Sequence, residues 1–282
     1  MTNLTKKKTL AVIVISYIIC SIVKYIEFFI IQTDQTFIAD NVICKIFCII
    51  FLAIILKVFN SSFSEIGFDF SNVKKNLLYA LFGFGLGIVT FAVSYLVEII
   101  ILLSQGKTIQ LGFYVTNFAL SGATNSVELS LSALLICIAG NIINVIAEEG
   151  LFRGFFLHIA KESFGFKKAN FIQALLFGTW HLVTVALEIR NGTMNFPTAV
   201  VMAIGYIVLA GILALEWGTC MSMTGVLWAG VCEHFFNNFI GNTLHVITES
   251  GTDEMQIARI VLSNLLSLTV VLILNKRKQK AV

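Results

Sequence analysis

The sequence predicts an all-α fold: a polytopic transmembrane helical bundle of about eight spans, with one interfacial segment. Three observations carry this reading. Of the 282 residues, 57% are hydrophobic and only 12% are charged, against about 25% charged in an ordinary soluble domain. Apolar windows of the roughly 20 residues a membrane helix needs recur along the chain. A single proline occurs, which favours uninterrupted helices. Disorder, collagen, coiled coil and a small disulfide scaffold are excluded by the same composition. No polar block is long enough to fold by itself, so residues 1–282 read as one integral-membrane domain. Within it, 1–126 supplies N-terminal helices, 127–245 the helices that hold the chemistry, and 246–282 the last span and a tail.

The windows fall, in order, at 10–31, 42–59, 77–103, 131–157, 169–188, 196–217, 221–241 and 257–274. The first, fourth and seventh carry enough polar residues that a strict hydropathy threshold could miss one. Between the second and third, residues 60–76 mix aromatics with charge and read as a segment lying on the inner leaflet. Eight crossings return both termini to one side. Lys6, Lys7 and Lys8 at one end and Lys276, Arg277, Lys278 and Lys280 at the other place that side in the cytoplasm. Lys107, Arg190 and Arg259 fall outside, with Asp34, Asp40, Glu249, Asp253 and Glu254. Lys24 and Glu27 interrupt the first apolar run, which therefore reads as a retained helix and not a cleaved signal peptide. The net charge of +3 is explained by the inner loops, and no basic face for nucleic acid is present. Cys20, Cys44, Cys48, Cys137, Cys220 and Cys232 form no CxxC pair, so they read as small buried apolar residues.

Ionisable groups inside a membrane ask for a partner or a purpose. The fourth window holds Asn141, Asn144, Glu148, Glu149 and Arg153; the fifth holds His181; the seventh holds Glu233, His234, Asn237 and Asn238. Counted from the cytoplasmic ends assigned above, Glu148, His181 and His234 share one layer. Residues four apart on a helix face the same way, so Glu149 and Arg153 should form an internal ion pair, beside Gly150 and Gly154, which permit close packing. Glu148 is turned away toward Asn141 and Asn144 and has no obvious cation. A carboxylate placed so suits a general base for water. His234 and Asn238 share a face and suit a pair of donors for the oxygen of a tetrahedral intermediate. Blander readings apply to the rest. Lys24 and Glu27 neutralise each other, and Glu233 borrows Lys24 or lines a wet cavity. His158 and His245 sit at span ends, and Trp180 and Trp228 are packing or cavity wall.

The motifs EExxxR (Glu148, Glu149, Arg153), FxxxH (Phe177, His181) and HxxxN (His234, Asn238) stand in that order on three predicted spans. In this the chain resembles the CPBP intramembrane proteases, which cover CAAX-processing endopeptidases of the Rce1 type and bacterial Abi or bacteriocin-processing relatives. The resemblance implies that Glu148 and His181 activate the hydrolytic water. It assigns the oxyanion to His234 and Asn238, and support of the site to Glu149 and Arg153. It implies no cofactor. Zinc on Glu148, His181 and His234 is the chemical alternative, although HExxH is missing. The expected activity is hydrolysis of a peptide bond in a small peptide or a C-terminal protein segment. The expected setting is a bacterial plasma membrane, with a leader or pheromone peptide as partner. The alternative from another class is a membrane protein that binds or transports a peptide, as in immunity, without cutting it.

Overall fold

The computed structural model describes residues 4–33, 42–115 and 130–281. Asp34 and Asp40 lie outside the described residues, as do 127–129 of the segment expected to hold the chemistry. Eight helical rods are present among those described. They are α1 (Lys6–Ile26) with a π-helical turn Glu27–Ile31, α2 (Val42–Val58), α3 (Val73–Ser104), and α4 (Leu131–Glu148) continued through a π-helical segment Glu149–Phe156 into α5 (Leu157–Phe164). Then come α6 (Phe166–Trp180) with α7 (Leu182–Arg190), α8 (Phe196–Thr224), α9 (Trp228–Thr243) and α10 (Gln256–Ala281). All eight predicted spans correspond to rods. Six of them are long and apolar enough to cross a membrane, which makes this an integral membrane protein. The other two are α2, with 17 residues, and α9, with 16. Shortness sets α2 apart, not polarity, whereas the polar first and fourth windows pass.

Three features depart from the sequence reading. Strands β1 (Ile109–Phe113) and β2 (Leu244–Thr248) pair antiparallel, with Gly112 opposite His245. This ribbon buries His245, which stacks on Tyr114 at 4.3 Å and faces Asp253 at 3.5 Å, so His245 is no exposed interfacial imidazole. The 60–76 segment is partly taken up by the third rod, which starts before residue 77. The segment's turns plug Ile66 and Phe68 into the core, while Val73 onward belongs to α3. There Gly150 meets Phe68 and Leu52, and Gly154 meets Ile66, contacts that a β-carbon on either glycine would crowd. Finally, α8 runs on to Thr224 and closes on Gly225 in the left-handed region (φ 79°), so the seventh rod begins at Trp228 and not at Met221.

Polar groups at the rod ends fix how the helices meet. Glu27 does not neutralise Lys24. Its carboxylate accepts from the backbone N–H of Ile43 (3.0 Å) and Cys44 (2.6 Å) and from Thr33 Oγ1 (2.9 Å), which caps the start of α2 with an anion. This sets the rotation of α2 and points Lys45 inward. Arg190, at the end of α7, donates to the Phe29 carbonyl at 2.6 Å, and Arg259 pairs with Glu98 and Asp253, each at 2.5 Å. The aromatic centre of the bundle is Phe152, Phe155, Phe156, Phe177, Trp180 and Trp217, all buried. The six cysteines are free, and four of them are buried.

Candidate active site

Glu148 ends α4 and is 4% exposed. Contrary to the sequence reading, it has a cation: Lys45 of α2 pairs with its Oε1. The same oxygen accepts from Trp180 Nε1 at 3.1 Å. Trp180 is thus more than packing, since it holds the carboxylate directly. Oε2 takes no hydrogen bond among the described residues and faces His234 Nε2 at 3.6 Å. One carboxylate oxygen is clamped and the other is open.

Glu149 opens the π-helical segment, and both its oxygens meet the Arg153 guanidinium, one through Nε at 2.8 Å. The ion pair predicted from the four-residue spacing is therefore present, in a widened turn of the kind that often marks functional positions. Arg153 is fully buried between the rings of Phe177 (4.3 Å) and Trp217 (4.7 Å). Glu149 Oε1 also lies 2.9 Å from His234 Nδ1. A carboxylate accepts, so Nδ1 carries the proton and the neutral ring offers a lone pair at Nε2 toward Glu148. Trp217 stacks on His234 at 3.9 Å and 16° and donates its N–H to Glu233. His234 is thereby fixed on one face and at one nitrogen.

His181 occupies the break between α6 and α7, with φ −86° and ψ −8°, a sparsely populated backbone region where active-site residues recur. Its Nδ1–H donates to the Phe177 carbonyl at 2.9 Å, which leaves Nε2 as acceptor. The Phe177 ring lies 4.9 Å from His181 and 6.1 Å from His234, edge to face with both. FxxxH thus supplies an aromatic spacer as well as an imidazole. Asn238, one turn beyond His234, is part-buried, and its side chain makes no hydrogen bond among the described residues. Asn141 donates to Cys137 Sγ at 3.4 Å.

Glu148 and His234 do meet, but the counting from cytoplasmic ends does not explain it. With the seventh rod starting at Trp228, His234 lies far fewer residues in than His181 or Glu148 do. The juxtaposition comes from the packing of α4 on α9. Sequence reasoning also missed Lys45, Trp180 and Trp217 as members of the site, and Glu216 altogether. Glu233 does not borrow Lys24. It sits fully buried beside Trp217, while Glu216 accepts from Ser267 at 2.5 Å. The available signal for Lys45 and Glu216 was their charge inside an apolar window.

The zinc alternative rests on residue types, Glu148, His181 and His234. Among the described residues no three His, Cys, Asp or Glu side chains cluster closely enough to hold an ion. An ammonium already lies on Glu148, and the Phe177 ring stands against both imidazoles.

Fold and site define a polytopic helical membrane protein with a buried carboxylate–imidazole pair. Residues 130–240 match the family model described as type II CAAX prenyl endopeptidase, Rce1-like, so the segment that carries all three motifs is Rce1-like, in agreement with the resemblance. No curated protein and no solved structure matches the chain.

Proposed function

We propose that the protein is a glutamate-type intramembrane endopeptidase that hydrolyses a peptide bond in a small peptide or a C-terminal protein segment. The observation that carries this reading is the open oxygen of Glu148 opposite His234 Nε2 at 3.6 Å, inside a bundle whose matched family is one of endopeptidases. A water drawn to Oε2 gives up its proton there as it attacks the peptide carbonyl, with His181 Nε2 as a second acceptor. Lys45 and Trp180 keep the carboxylate aimed. The proton taken by Oε2 passes to His234 Nε2, 3.6 Å away, so that Nδ1–H remains on Glu149 and Nε2–H faces the oxyanion. Asn238 is free to add a donor. The proton returns to the leaving amine as the C–N bond breaks. We place both termini in the cytoplasm on the basic bias of the ends, and take a bacterial plasma membrane and a leader or pheromone peptide substrate from the richness of the sequence in Ile, Phe, Lys and Asn.

The test is incubation of purified full-length protein in detergent with peptides encoded near its gene, with cleavage products sought by mass spectrometry. New termini made by the wild type and absent with Glu148→Gln support hydrolysis. Peptide retained uncut by both supports the binding or transport alternative. Two outcomes are expected from the same preparation. Asn238→Ala should lower kcat by roughly 10²–10³-fold, the usual effect of losing one oxyanion donor, with KM nearly constant; an unchanged kcat removes Asn238 from the mechanism. Turnover should survive dialysis against a strong chelator, and a loss restored by zinc would revive the metal alternative.

A further inference from the structure

The helix break that carries His181 frees a backbone oxygen. In an unbroken helix the Thr184 N–H would donate to the Trp180 carbonyl, four residues back. Here it donates to the His181 carbonyl at 3.1 Å, so the Trp180 carbonyl, at the end of α6, loses its helical partner. A bare backbone oxygen is costly inside a membrane bundle. Lys24 of α1 takes it, with Nζ donating at 2.9 Å across 156 positions of chain. A cation at a helix C-terminus also meets the negative end of the helix dipole. The same ammonium lies 4.6 Å from the Trp180 ring, whose face attracts a cation. Lys24 is 3% exposed and forms no ion pair among the described residues.

On either side of Lys24, α1 is tied to this junction. The Tyr17 hydroxyl meets Thr179 Oγ1 at 2.9 Å, and the Phe29 carbonyl accepts from Arg190, at the end of α7, at 2.6 Å. The register of α1 against α6 and α7 is therefore set, and with it the reach of Lys24. Trp180 in turn joins two parts of the site. Its indole N–H donates to Glu148 Oε1 at 3.1 Å. Its carbonyl carbon is bonded to the nitrogen of His181, whose ring is aimed by the hydrogen bond from Nδ1 to the Phe177 carbonyl. Fixing Trp180 at its backbone and at its ring fixes both.

We infer that Lys24 is a positioning residue of the active site: by capping the break between α6 and α7 and seating the Trp180 indole, it aims Glu148 and His181 together. It acts through Trp180 and not on the reacting atoms. This role presupposes the endopeptidase reading, which gives Glu148 and His181 their tasks, but the contact with Trp180 can be measured without turnover.

Full-length protein in detergent, labelled with nitrogen-15 in its indoles, gives one N–H cross-peak each for Trp180, Trp217 and Trp228, and Trp180→Phe identifies the first. In Lys24→Met the Trp180 peak should move or broaden while the other two stay. On a peptide that the wild type cleaves, kcat should fall roughly 10²-fold with KM nearly constant, the effect of a misplacement of about 1 Å caused from a distance. Lys24→Arg, which keeps a donor and a charge for both contacts, should return the peak and most of the turnover. Lys24→Gln, without the charge, replaces Lys24→Met if that variant does not fold, and should show the same isolated shift. An unmoved Trp180 peak, or an unchanged kcat, overturns the proposal. Movement of all three peaks does so too, as does failure of both uncharged variants to fold, since Lys24 then supports the bundle as a whole. A wild type that cleaves no peptide sinks the endopeptidase reading itself, and an isolated Trp180 shift would then show only that Lys24 seats the indole.

Discussion

Glu148→Gln is expected to lower turnover by roughly 10²–10⁴-fold, the range over which a positioned general base contributes. Glutamine keeps the shape of the side chain and an oxygen for Trp180 Nε1, but it cannot take a proton from water. The same change leaves Lys45, 1% exposed, without its counter-charge. Removing one partner of a buried pair is destabilising by about 3–5 kcal/mol, so a fall in activity could be confused with unfolding. Glu148→Gln combined with Lys45→Met separates the two effects. The double variant carries neither charge and should recover most of the lost stability in thermal unfolding, yet remain as inactive as the single one. Turnover near the wild-type rate in either variant would rule out Glu148 as the base. Recovery of turnover with recovery of stability would make Glu148 a structural partner of Lys45 and nothing more.

The features legible in the sequence are those that depend on local spacing. Apolar windows located every rod, because a bilayer requires a fixed length of apolar helix whatever lies beside it. The four-residue spacing gave the Glu149–Arg153 pair, which the π-helical segment preserves. Long-range partners were not legible. Lys45 and Glu148 are separated by 103 positions, and their meeting depends on Glu27 capping α2, a contact that spacing along one helix does not reveal. Gly225 and the overrun of α8 moved the start of the seventh rod, because in a run as apolar as 196–241 hydropathy alone does not mark the turn. His181 proved to sit at a helix break and not within one continuous helix. The buried Glu216 and Glu233 pack with Trp217 and Ser267, neutral donors that no charge pattern announces.

Arg153→Met should be the most destabilising single change in the site. The guanidinium is fully buried, held by both oxygens of Glu149 and enclosed by Phe177 and Trp217. Methionine fills part of that space but leaves Glu149 as an anion whose remaining contact is His234 Nδ1, at 2.9 Å. The expected loss is about 3–5 kcal/mol, read as a lower midpoint of thermal unfolding in detergent. Glu149→Gln with Arg153→Met removes both charges, and a double-mutant cycle should show that most of the loss is coupling between them. Activity should not follow stability. The introduced amide oxygen can still accept from Nδ1, so the ring keeps its orientation, but it no longer offers a negative charge to the imidazolium that holds the oxyanion. Turnover in the double variant should therefore stay about 10²-fold below wild type, within the range attributed to a positioned acid–base group. If the double variant is as unstable as Arg153→Met, the buried-charge argument is wrong and packing by the guanidinium dominates. If it is stable and fully active, Glu149 holds the helix but contributes nothing to the chemistry of His234.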